Sequence, residues 1–356
     1  MPSKLFSPLT LRTVEFRNRI FVSPMCQYSA VSGVPNDWHF VHLGSRAVGG
    51  AGLVMVEATA VAAAGRISPG DLGLWNDAQA DALGRLAAQI STHGAVAGIQ
   101  LAHAGRKAST APPWKGGGPL DAEDSWETVA PSAIPFAPNY PAPHALSLAE
   151  IDEIVEQFAM AARRASQAGF KVAEIHMAHG YLMHQFLSPL SNQRQDSQGG
   201  DLAGRMQVPL RVAQAVRAAW PDSLPLFVRV SATDWAEGGW DLTQCIELAR
   251  QLKQLGMDLV DCSSGGLVPN AQVPAAPGYQ VPFAAAIRRG AGVATAAVGL
   301  IADAQQAEQT LVCEDADAIF VGRAVLRDPY WPLRAAQELK SKIPWPVQYE
   351  RARPSA

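Results

Sequence analysis

The sequence predicts a single (β/α)₈ barrel, a closed ring of eight parallel strands surrounded by helices, and three observations support this fold class. Short apolar runs alternate with longer segments of helical period, and eight such runs occur along the 356 residues. The runs are continuously apolar, as expected of strands covered on both faces of a parallel sheet. No G-x-G-x-x-G follows any of them, which argues against the competing doubly wound sheet with a dinucleotide site.

The predicted strands are preceded by a short hairpin. Residues 9–16 place Arg12 and Thr13 between two apolar triplets, which predicts a small hairpin that closes the bottom of the barrel. Most strands are followed by a segment with helical periodicity, so the order is strand and then helix. The eight predicted strands are residues 20–23, 53–58, 96–101, 172–176, 226–230, 259–262, 294–298 and 318–321.

Capping residues mark the start of several helices. Ser147 with Glu150 forms a capping-box pattern, in which each side chain bonds the backbone N–H of the other residue. A helix therefore begins directly after Ser147. The same spacing recurs in two further pairs, Asp241 with Gln244 and Asp303 with Gln306.

Composition and charge exclude several classes of protein. Hydrophobic residues make up 48% of the chain and charged residues 17%, which excludes a disordered protein and allows a large core. A net charge of -3 leaves no basic excess to bind nucleic acid or an anionic membrane. With no signal pattern and no apolar run of about 20 residues, we expect a soluble cytoplasmic protein. Its cysteines lack zinc-ribbon or iron–sulfur spacing and are expected to be reduced: Cys26, Cys245, Cys262 and Cys313.

We expect one domain, residues 1–356, with two irregular segments. The stretch 102–148 is rich in glycine and proline and too long for an idle loop, so we interpret it as a lid over the barrel mouth. After a final helix ending near Ile343, Pro344 and Pro346 predict an extended tail over residues 344–356.

Polar and small residues close almost every predicted strand. In a (β/α)₈ barrel the chemistry lies in the loops at the carboxyl ends of the strands, so these residues are the candidates for a site. The sequences at the strand ends are Ser23-Pro24-Met25-Cys26-Gln27-Tyr28, Glu57-Ala58-Thr59, Gln100-Leu101-Ala102-His103, His176-Met177-Ala178-His179-Gly180-Tyr181, Arg229, Ser263-Ser264-Gly265-Gly266, Gly299 and Gly322-Arg323.

The last two strand ends suggest a phosphate site, while Arg229 leaves two interpretations open. Gly299 and Gly322 offer bare backbone N–H groups where this fold commonly binds phosphate, and Arg323 adds a guanidinium fork. Glycines at strand ends, however, often serve only to allow a tight turn and bind no ligand. Arg229 ends an apolar strand, where an unpaired guanidinium is costly, so it either pairs with a carboxylate such as Asp234 or faces an electron-rich ligand.

His176 and His179 have two chemical interpretations. They could be metal ligands of a barrel hydrolase, but their spacing is atypical and no third ligand is evident. Two neutral imidazoles can instead donate hydrogen bonds to a carbonyl oxygen that gains negative charge during reaction. Tyr181 then places a phenol nearby that can donate a proton to carbon. Cys26, as a lone thiol, is more often packing than chemistry.

These residues resemble the old yellow enzyme family of FMN-dependent ene-reductases, specifically its thermophilic-like branch. The similarity covers essentially the whole chain, and several motifs coincide in the order of the family. The motifs are Leu5-Phe6-Ser7-Pro8-Leu9, Asn18-Arg19-Ile20, Ser23-Pro24-Met25-Cys26, Trp38-His39, His176-x-x-His179-Gly180-Tyr181, Gln185-Phe186-Leu187-Ser188-Pro189 and Val321-Gly322-Arg323.

The resemblance implies roles for individual residues. His176 and His179 match the pair that binds the carbonyl oxygen of the substrate, Tyr181 the proton donor, and Tyr28 a substrate-contacting phenol. Arg229 matches an arginine beside the N1/O2 edge of the flavin. The implied cofactor-binding residues are Ser23, Pro24, Met25, Cys26, Ala58, Gln100, Arg229, Gly265, Val298, Gly299, Gly322 and Arg323.

The resemblance also implies a reaction and an assembly. NADPH or NADH reduces noncovalent FMN, leaves, and is replaced by an activated alkene such as an enone, enal or maleimide, which takes hydride at its β-carbon. The matching tail in this branch inserts an arginine into the active site of a neighbouring subunit, and Arg351 occupies that position. A homodimer or a dimer of dimers is therefore expected. The remaining alternatives are a metal-dependent barrel hydrolase, a non-catalytic binding barrel, and a dienoyl-CoA reductase, which would require further cysteines and a further domain.

Overall fold

The structure, a computed structural model, describes residues 3–353 and contains a closed barrel of eight parallel strands, as predicted. Going around the barrel, the strands follow chain order, and the last pairs with the first through Ile319 and Ile20. An antiparallel hairpin and a two-stranded parallel pair complete the sheets of this part of the chain. The strands are β1 (Leu9–Leu11), β2 (Val14–Phe16), β3 (Ile20–Val22), β4 (Leu53–Ala60), β5 (Val96–Ala102), β6 (Val129–Ala130), β7 (His144–Ala145), β8 (Val172–Met177), β9 (Leu226–Ser231), β10 (Leu259–Ser263), β11 (Ala294–Ala297) and β12 (Ala318–Val321).

Helices surround the barrel and cover the outer faces of its strands. Their buried sides are mostly alanine, leucine, isoleucine and valine, which pack on the apolar outward residues of the strands. Within residues 3–353 none of the helices is both long and apolar enough to cross a membrane. The helices are α1 (Asp37–Val48), α2 (Asp77–Thr92), α3 (Leu148–Gln167), α4 (Leu182–Leu187), α5 (Leu202–Ala219), α6 (Leu242–Gln254), α7 (Val281–Ala291), α8 (Ala304–Val312), α9 (Arg323–Arg327) and α10 (Trp331–Glu338).

The predicted strands and helix starts are confirmed, with differences at the strand ends. β4 continues to Ala60, two residues beyond the predicted end, because apolar periodicity does not indicate where a strand leaves the barrel. Ser147 and Glu150 form the complete capping box at the start of α3. Asp241 and Asp303 each accept a hydrogen bond from the backbone N–H three residues later, which caps α6 and α8.

The lower end of the barrel is closed by aromatic side chains, and the hairpin supplies one of them. Phe16 of β2 lies fully buried with its ring centroid 4.9 Å from that of Phe21 and 6.3 Å from that of Phe227. Phe320 packs edge-on against Phe21 at 5.5 Å. The predicted hairpin over residues 9–16 therefore closes the barrel bottom, and the opposite end of the barrel is formed by the carboxyl ends of the strands. We call that end the mouth.

The carboxyl-terminal segment differs from its prediction. The last helix, α10, ends at Glu338 rather than near Ile343, and Val347–Ala352 forms a 3₁₀ helix instead of an extended strip. Pro346 precedes this turn and its carbonyl accepts the N–H of Tyr349, while the Tyr349 ring packs edge-on against Tyr330 at 5.9 Å. The predicted tail also includes residues 354–356, which lie outside the described part of the chain.

Candidate active site

The predicted site residues converge on the mouth because parallel strands all end there. Strand register brings several of them level with one another: Ala58 is paired with Gln100, and His176 with Arg229. Ser23 directly follows β3, is buried, and its Oγ accepts a hydrogen bond from Arg229 at 3.1 Å. The half-buried residues Pro24, Met25 and Cys26 follow it, Gly265 follows β10, Val298 and Gly299 follow β11, and Gly322 and Arg323 follow β12.

Three aromatic side chains form the centre of the candidate site. The His176 ring is perpendicular to both of its neighbours, with centroids 5.1 Å from the His179 ring and 5.0 Å from the Tyr181 ring. Nδ1 of His176 accepts the backbone N–H of Ala178 at 3.2 Å, so Nε2 carries the ring proton. Nε2 of His179 lies 2.7 Å from Oγ of Ser263. The structure therefore brings together the three residues predicted as catalytic.

Burial fixes the protonation states of this cluster. It lowers the pKa of His176 and of His179 well below the usual value, and the positive charge of Arg229 lowers both further. It also raises the pKa of Tyr181 well above its usual value, with Cys26 and Tyr28 contributing. At neutral pH the site thus holds two neutral imidazoles and a protonated phenol, all of which are hydrogen-bond donors.

The turn that presents these groups is held by a buried network that the sequence did not reveal. His179 and Gly180 both adopt positive φ, +58° and +72°. The N–H of Gly180 donates to Nδ1 of His184 at 2.9 Å, and Nε2 of His184 lies 2.8 Å from Oδ1 of Asp234. Oδ2 of Asp234 also accepts from Oγ of Ser188 at 2.6 Å. Burial alone would raise the pKa of Asp234, but these hydrogen bonds lower it below the ordinary value.

A lysine at the root of the 102–148 insertion holds the same turn from the other side. Nζ of Lys107 donates to the carbonyl of His179 at 2.8 Å and to that of Gly266 at 2.9 Å. It also lies 5.1 Å from the centroid of the Tyr181 ring. Burial lowers the pKa of Lys107 to about 8. Sequence reasoning missed this residue because a charged side chain in a glycine-rich loop is ordinarily a solvated one.

Arg229 pairs with a different carboxylate from the one suggested by the sequence. Nε of Arg229 lies 3.1 Å from Oδ2 of Asp261 on the neighbouring strand β10, whereas Asp234 is engaged with His184. The interpretation that Arg229 pairs with a carboxylate is therefore confirmed, but Asp234 as the example of that partner is wrong. The cause is strand register: Asp261 is paired with Arg229 in the parallel ladder, and both side chains are buried.

Cys26 and Tyr28 lie at the rim of the mouth. Burial raises the pKa of the Cys26 thiol well above its usual value, with the carboxylates of Asp71 and Glu57 adding to the shift. The thiol is therefore protonated at neutral pH. The Tyr28 ring packs edge-on against Trp114 of the 102–148 insertion at 5.8 Å, so this insertion reaches the mouth.

The glycines after the last two strands have different surroundings. Gly299 has a φ of +118°, and a Cβ there would meet Nε2 of Gln280 at 2.7 Å, so both conformation and space require glycine. A Cβ on Gly322 would have nothing closer than Sδ of Met25 at 3.7 Å. A Cβ would therefore fit beside Gly322 in ordinary van der Waals contact, and the exposed Arg323 follows it directly.

Two further candidates were the metal interpretation and Arg351. Within residues 3–353 no three His, Cys, Asp or Glu side chains are grouped as metal ligands. One nitrogen of each histidine, Nδ1 of His176 and Nε2 of His179, is already hydrogen-bonded to the protein. Arg351 lies exposed in the 3₁₀ helix of the tail.

Comparison with known proteins gives similarities over nearly the whole chain. Residues 4–342 match the NADH:flavin oxidoreductase / NADH oxidase family. An NADPH dehydrogenase of Listeria innocua serovar 6a is 51% identical over 352 residues, which cover 98% of this chain and 99% of that protein. An NADPH dehydrogenase of Geobacillus sp. (strain WCH70) is 48% identical over 353 residues and covers 99% of both chains. Among solved structures, morphinone reductase superposes with a TM-score of 0.80 at 26% identity, covering 96% of this chain and 91% of that one.

Proposed function

Because the chain belongs to the old yellow enzyme family, the NADH:flavin oxidoreductase / NADH oxidase family, we propose that it reduces the activated C=C bond of α,β-unsaturated carbonyl compounds. It is an oxidoreductase that uses FMN as cofactor and NADPH as hydride donor. Enones, enals and maleimides are the proposed substrates. Membership of this family argues against the metal-dependent hydrolase and the non-catalytic barrel.

The cluster of His176, His179 and Tyr181 is the observation that carries this proposal. An alkene accepts hydride only when an adjacent carbonyl withdraws the developing charge. Two neutral imidazole donors suit that carbonyl oxygen, because they are positioned before reaction and lie in a water-poor site. Tyr181, whose raised pKa keeps its proton in place, is positioned to protonate the α-carbon.

The residues at the mouth fit FMN in three respects. Pro24 and Met25 offer half-buried apolar surface to a flat ring system. The backbone N–H of Gly322, which no side chain covers, and the exposed guanidinium of Arg323 suit a phosphate group. Deeper in the barrel, Arg229 and Gln100 provide a buried guanidinium and a buried carboxamide for the polar edge of the ring. The chemistry that FMN supplies when bound is the relay of a hydride from NADPH to the substrate.

Two residues are assigned roles around this centre. Cys26 holds a protonated thiol beside the ring and adjusts the ease of reduction of the cofactor, without acting as a nucleophile. Arg351 completes the site of a neighbouring subunit in a homodimer or dimer of dimers, as the family resemblance implies.

The proposal is tested by absorption spectroscopy of the purified protein. We expect a yellow protein with noncovalent FMN whose visible absorption is lost on anaerobic addition of NADPH and restored by cyclohexenone. A protein that neither contains FMN nor takes it up on reconstitution contradicts the proposal. Bleaching by NADPH without recovery on addition of cyclohexenone, maleimide or an enal contradicts the ene-reductase assignment alone.

A further inference from the structure

Four polar side chains form a layer inside the barrel, which we call the polar layer: Gln100, Glu174, Arg229 and Asp261. All four are buried, and they come from the consecutive barrel strands β5, β8, β9 and β10. Nε2 of Gln100 donates to Oε1 of Glu174 at 2.7 Å, and Nε of Arg229 lies 3.1 Å from Oδ2 of Asp261. The layer is joined to the mouth by the hydrogen bond from Arg229 to Ser23.

The polar layer contains more negative than positive groups. Two carboxyl groups face one guanidinium, so the layer would carry a net negative charge if both carboxyls were ionised. Oε2 of Glu174 and both carboxyl oxygens of Asp261 are buried and have no donor in hydrogen-bonding geometry. An ionised carboxylate without such donors costs several kcal/mol in a protein interior, whereas a protonated carboxyl does not carry that cost.

The surrounding groups favour the protonated form of one carboxyl. Burial raises the pKa of Glu174, the charge of Asp261 raises it further, and Arg229 and Gln100 oppose the shift. Burial also raises the pKa of Asp261, against the effect of Arg229. The remaining polar neighbours at this level are His176, which is neutral, and Ser23, which is uncharged. The charge balance of the layer therefore depends on Arg229 alone.

We propose that Glu174 and Asp261 form a proton-accepting pair that holds one proton when FMN is oxidised and takes up a second when FMN is reduced. The proposal rests on the FMN-dependent function above. Hydride transfer moves two electrons and one proton from NADPH to FMN, releases NADP⁺ and adds one negative charge at the mouth. That charge competes with Asp261 for Arg229, so Asp261 binds a proton from bulk water. On reoxidation by the alkene the hydride leaves and the proton returns to water.

The proposed coupling depends on Arg229, whose guanidinium lies between the carboxyl pair and the charge that reduction adds at the mouth. Arg229 contacts Asp261 through Nε and the mouth through NH1, so it lies between the carboxyl pair and the cofactor site. Arg229 holds the pKa of Asp261 down against the effect of burial, and a negative charge at the mouth draws on the same guanidinium. The appearance of that charge therefore raises the pKa of Asp261 further and favours its protonated form.

The first experiment counts protons in the holoenzyme. Hydride transfer from NADPH to FMN, giving an anionic reduced cofactor, consumes no proton from water. Anaerobic mixing with one equivalent of NADPH in weakly buffered solution, followed with a pH indicator dye, should therefore report about one proton taken up per FMN reduced. We expect the same uptake in the control variant Glu123→Gln, which alters an exposed carboxyl, and none in the double variant Glu174→Gln/Asp261→Asn. No uptake by the wild type overturns the proposal.

The second experiment identifies where the protons lie and does not depend on turnover or on the double variant folding. Infrared spectroscopy of the oxidised protein should give the C=O stretch of a protonated carboxyl that is lost in Glu174→Gln, a substitution of nearly the same shape. Reduction of FMN should add a new band of this kind, from protonated Asp261, both in the wild type and in Glu174→Gln. If Glu174→Gln leaves the first band unchanged, or if uptake occurs without a new carboxyl band, the proposal is wrong. Failure of NADPH to reduce FMN contradicts the proposed function instead, while the first band still tests the proton on Glu174.

Discussion

Tyr181 is the N-cap residue directly before α4, and its phenol is the one protonated oxygen acid in the cluster with His176 and His179. We expect Tyr181→Phe to slow reduction of cyclohexenone by about 10²–10⁴-fold, the usual effect of removing a positioned general acid. Reduction of FMN by NADPH, which requires no proton from this residue, should change far less. Stopped-flow measurement of the two half-reactions separates these effects. If cyclohexenone reoxidises FMN in Tyr181→Phe at the wild-type rate, the proton added to the α-carbon comes from another group.

Cys26 should be a slow nucleophile despite its place at the mouth. Because burial raises its pKa well above the usual value, the thiol stays protonated as the pH rises through 7 and 8, and only a thiolate is alkylated rapidly. We expect iodoacetamide to label the exposed Cys313 at least about tenfold faster than Cys26 at pH 8. Peptide mass spectrometry measures both rates in the same sample. Equal labelling rates for Cys26 and Cys313 would show that Cys26 is a reactive nucleophile.

At the level of single residues, the sequence predicted which side chains reach the mouth better than which partners they meet. His176, His179 and Tyr181 lie within one short segment, so the strand-to-helix pattern was enough to bring them together. For Arg229 the sequence left open a carboxylate partner, with Asp234 five positions away as the example, or an electron-rich ligand, whereas the carboxylate that it meets is Asp261 on another strand. Aligning the carboxyl ends of the two predicted strands, Val230 with Cys262, places Asp261 beside Arg229, and this is the register that the structure shows.

The turn from Ala178 to Tyr181 is the element on which the candidate site depends most. It contains two residues with positive φ and is held by His184 with Asp234 on one side and by Lys107 on the other. These contacts could not be predicted from the sequence, because each joins segments that are distant along the chain or bonds a backbone group. Only the topology of the closed barrel brings the 102–148 insertion and the loop after β9 to this turn.

We predict that Asp234→Asn destabilises the protein by about 1.5–3 kcal/mol at pH 7, the usual effect of losing a buried hydrogen bond to a charged group. The folded pKa of Asp234 is lowered, so its contribution is complete above the unfolded value of about 4 and is lost as the pH falls below it. The difference in unfolding free energy between wild type and variant should therefore shrink between pH 5 and pH 3.

Urea denaturation at several pH values measures this difference. Glu156→Gln is the matched control, because it breaks the exposed pair with Arg163 and should cost less than about 1 kcal/mol. A difference for Asp234→Asn that does not change with pH would show that its stabilising effect is independent of its charge.

At the scale of the whole molecule, the proposed assembly requires the tail of one chain to complete the site of another. Val347 is 83% exposed, and Tyr330, Trp345 and Tyr349 line an apolar cavity of about 420 Å³ between the tail and α10. A surface of this kind is typical of a contact between subunits. It agrees with the proposed assembly, in which Arg351 of one subunit enters the site of another.

We predict that Arg351→Ala raises KM for cyclohexenone by about tenfold or more, as expected for the loss of a charge-assisted hydrogen bond, while FMN stays bound. Arg353→Ala is the matched control, because Arg353 belongs to the same tail but pairs with Glu350 at 3.5 Å. Truncation after Pro346 should also weaken association, measured by sedimentation velocity. A monomeric wild type, or equal KM values in the two arginine variants, would contradict the prediction.

The pairing of β3 with β12 sets a limit on when this protein can fold during its synthesis. The first barrel strand ends at Val22, and the partner that closes the ring begins only at Ala318. At about 5–20 residues per second, a ribosome needs roughly 15–60 s to make the chain between them. Throughout that time the hydrogen-bonding edge of β3 has no partner on one side, and neighbouring ribosomes on one messenger carry the same open edge. The growing chain therefore exposes an unpaired strand edge for most of translation, and molecules released before Ala318 lack the strand that closes the ring.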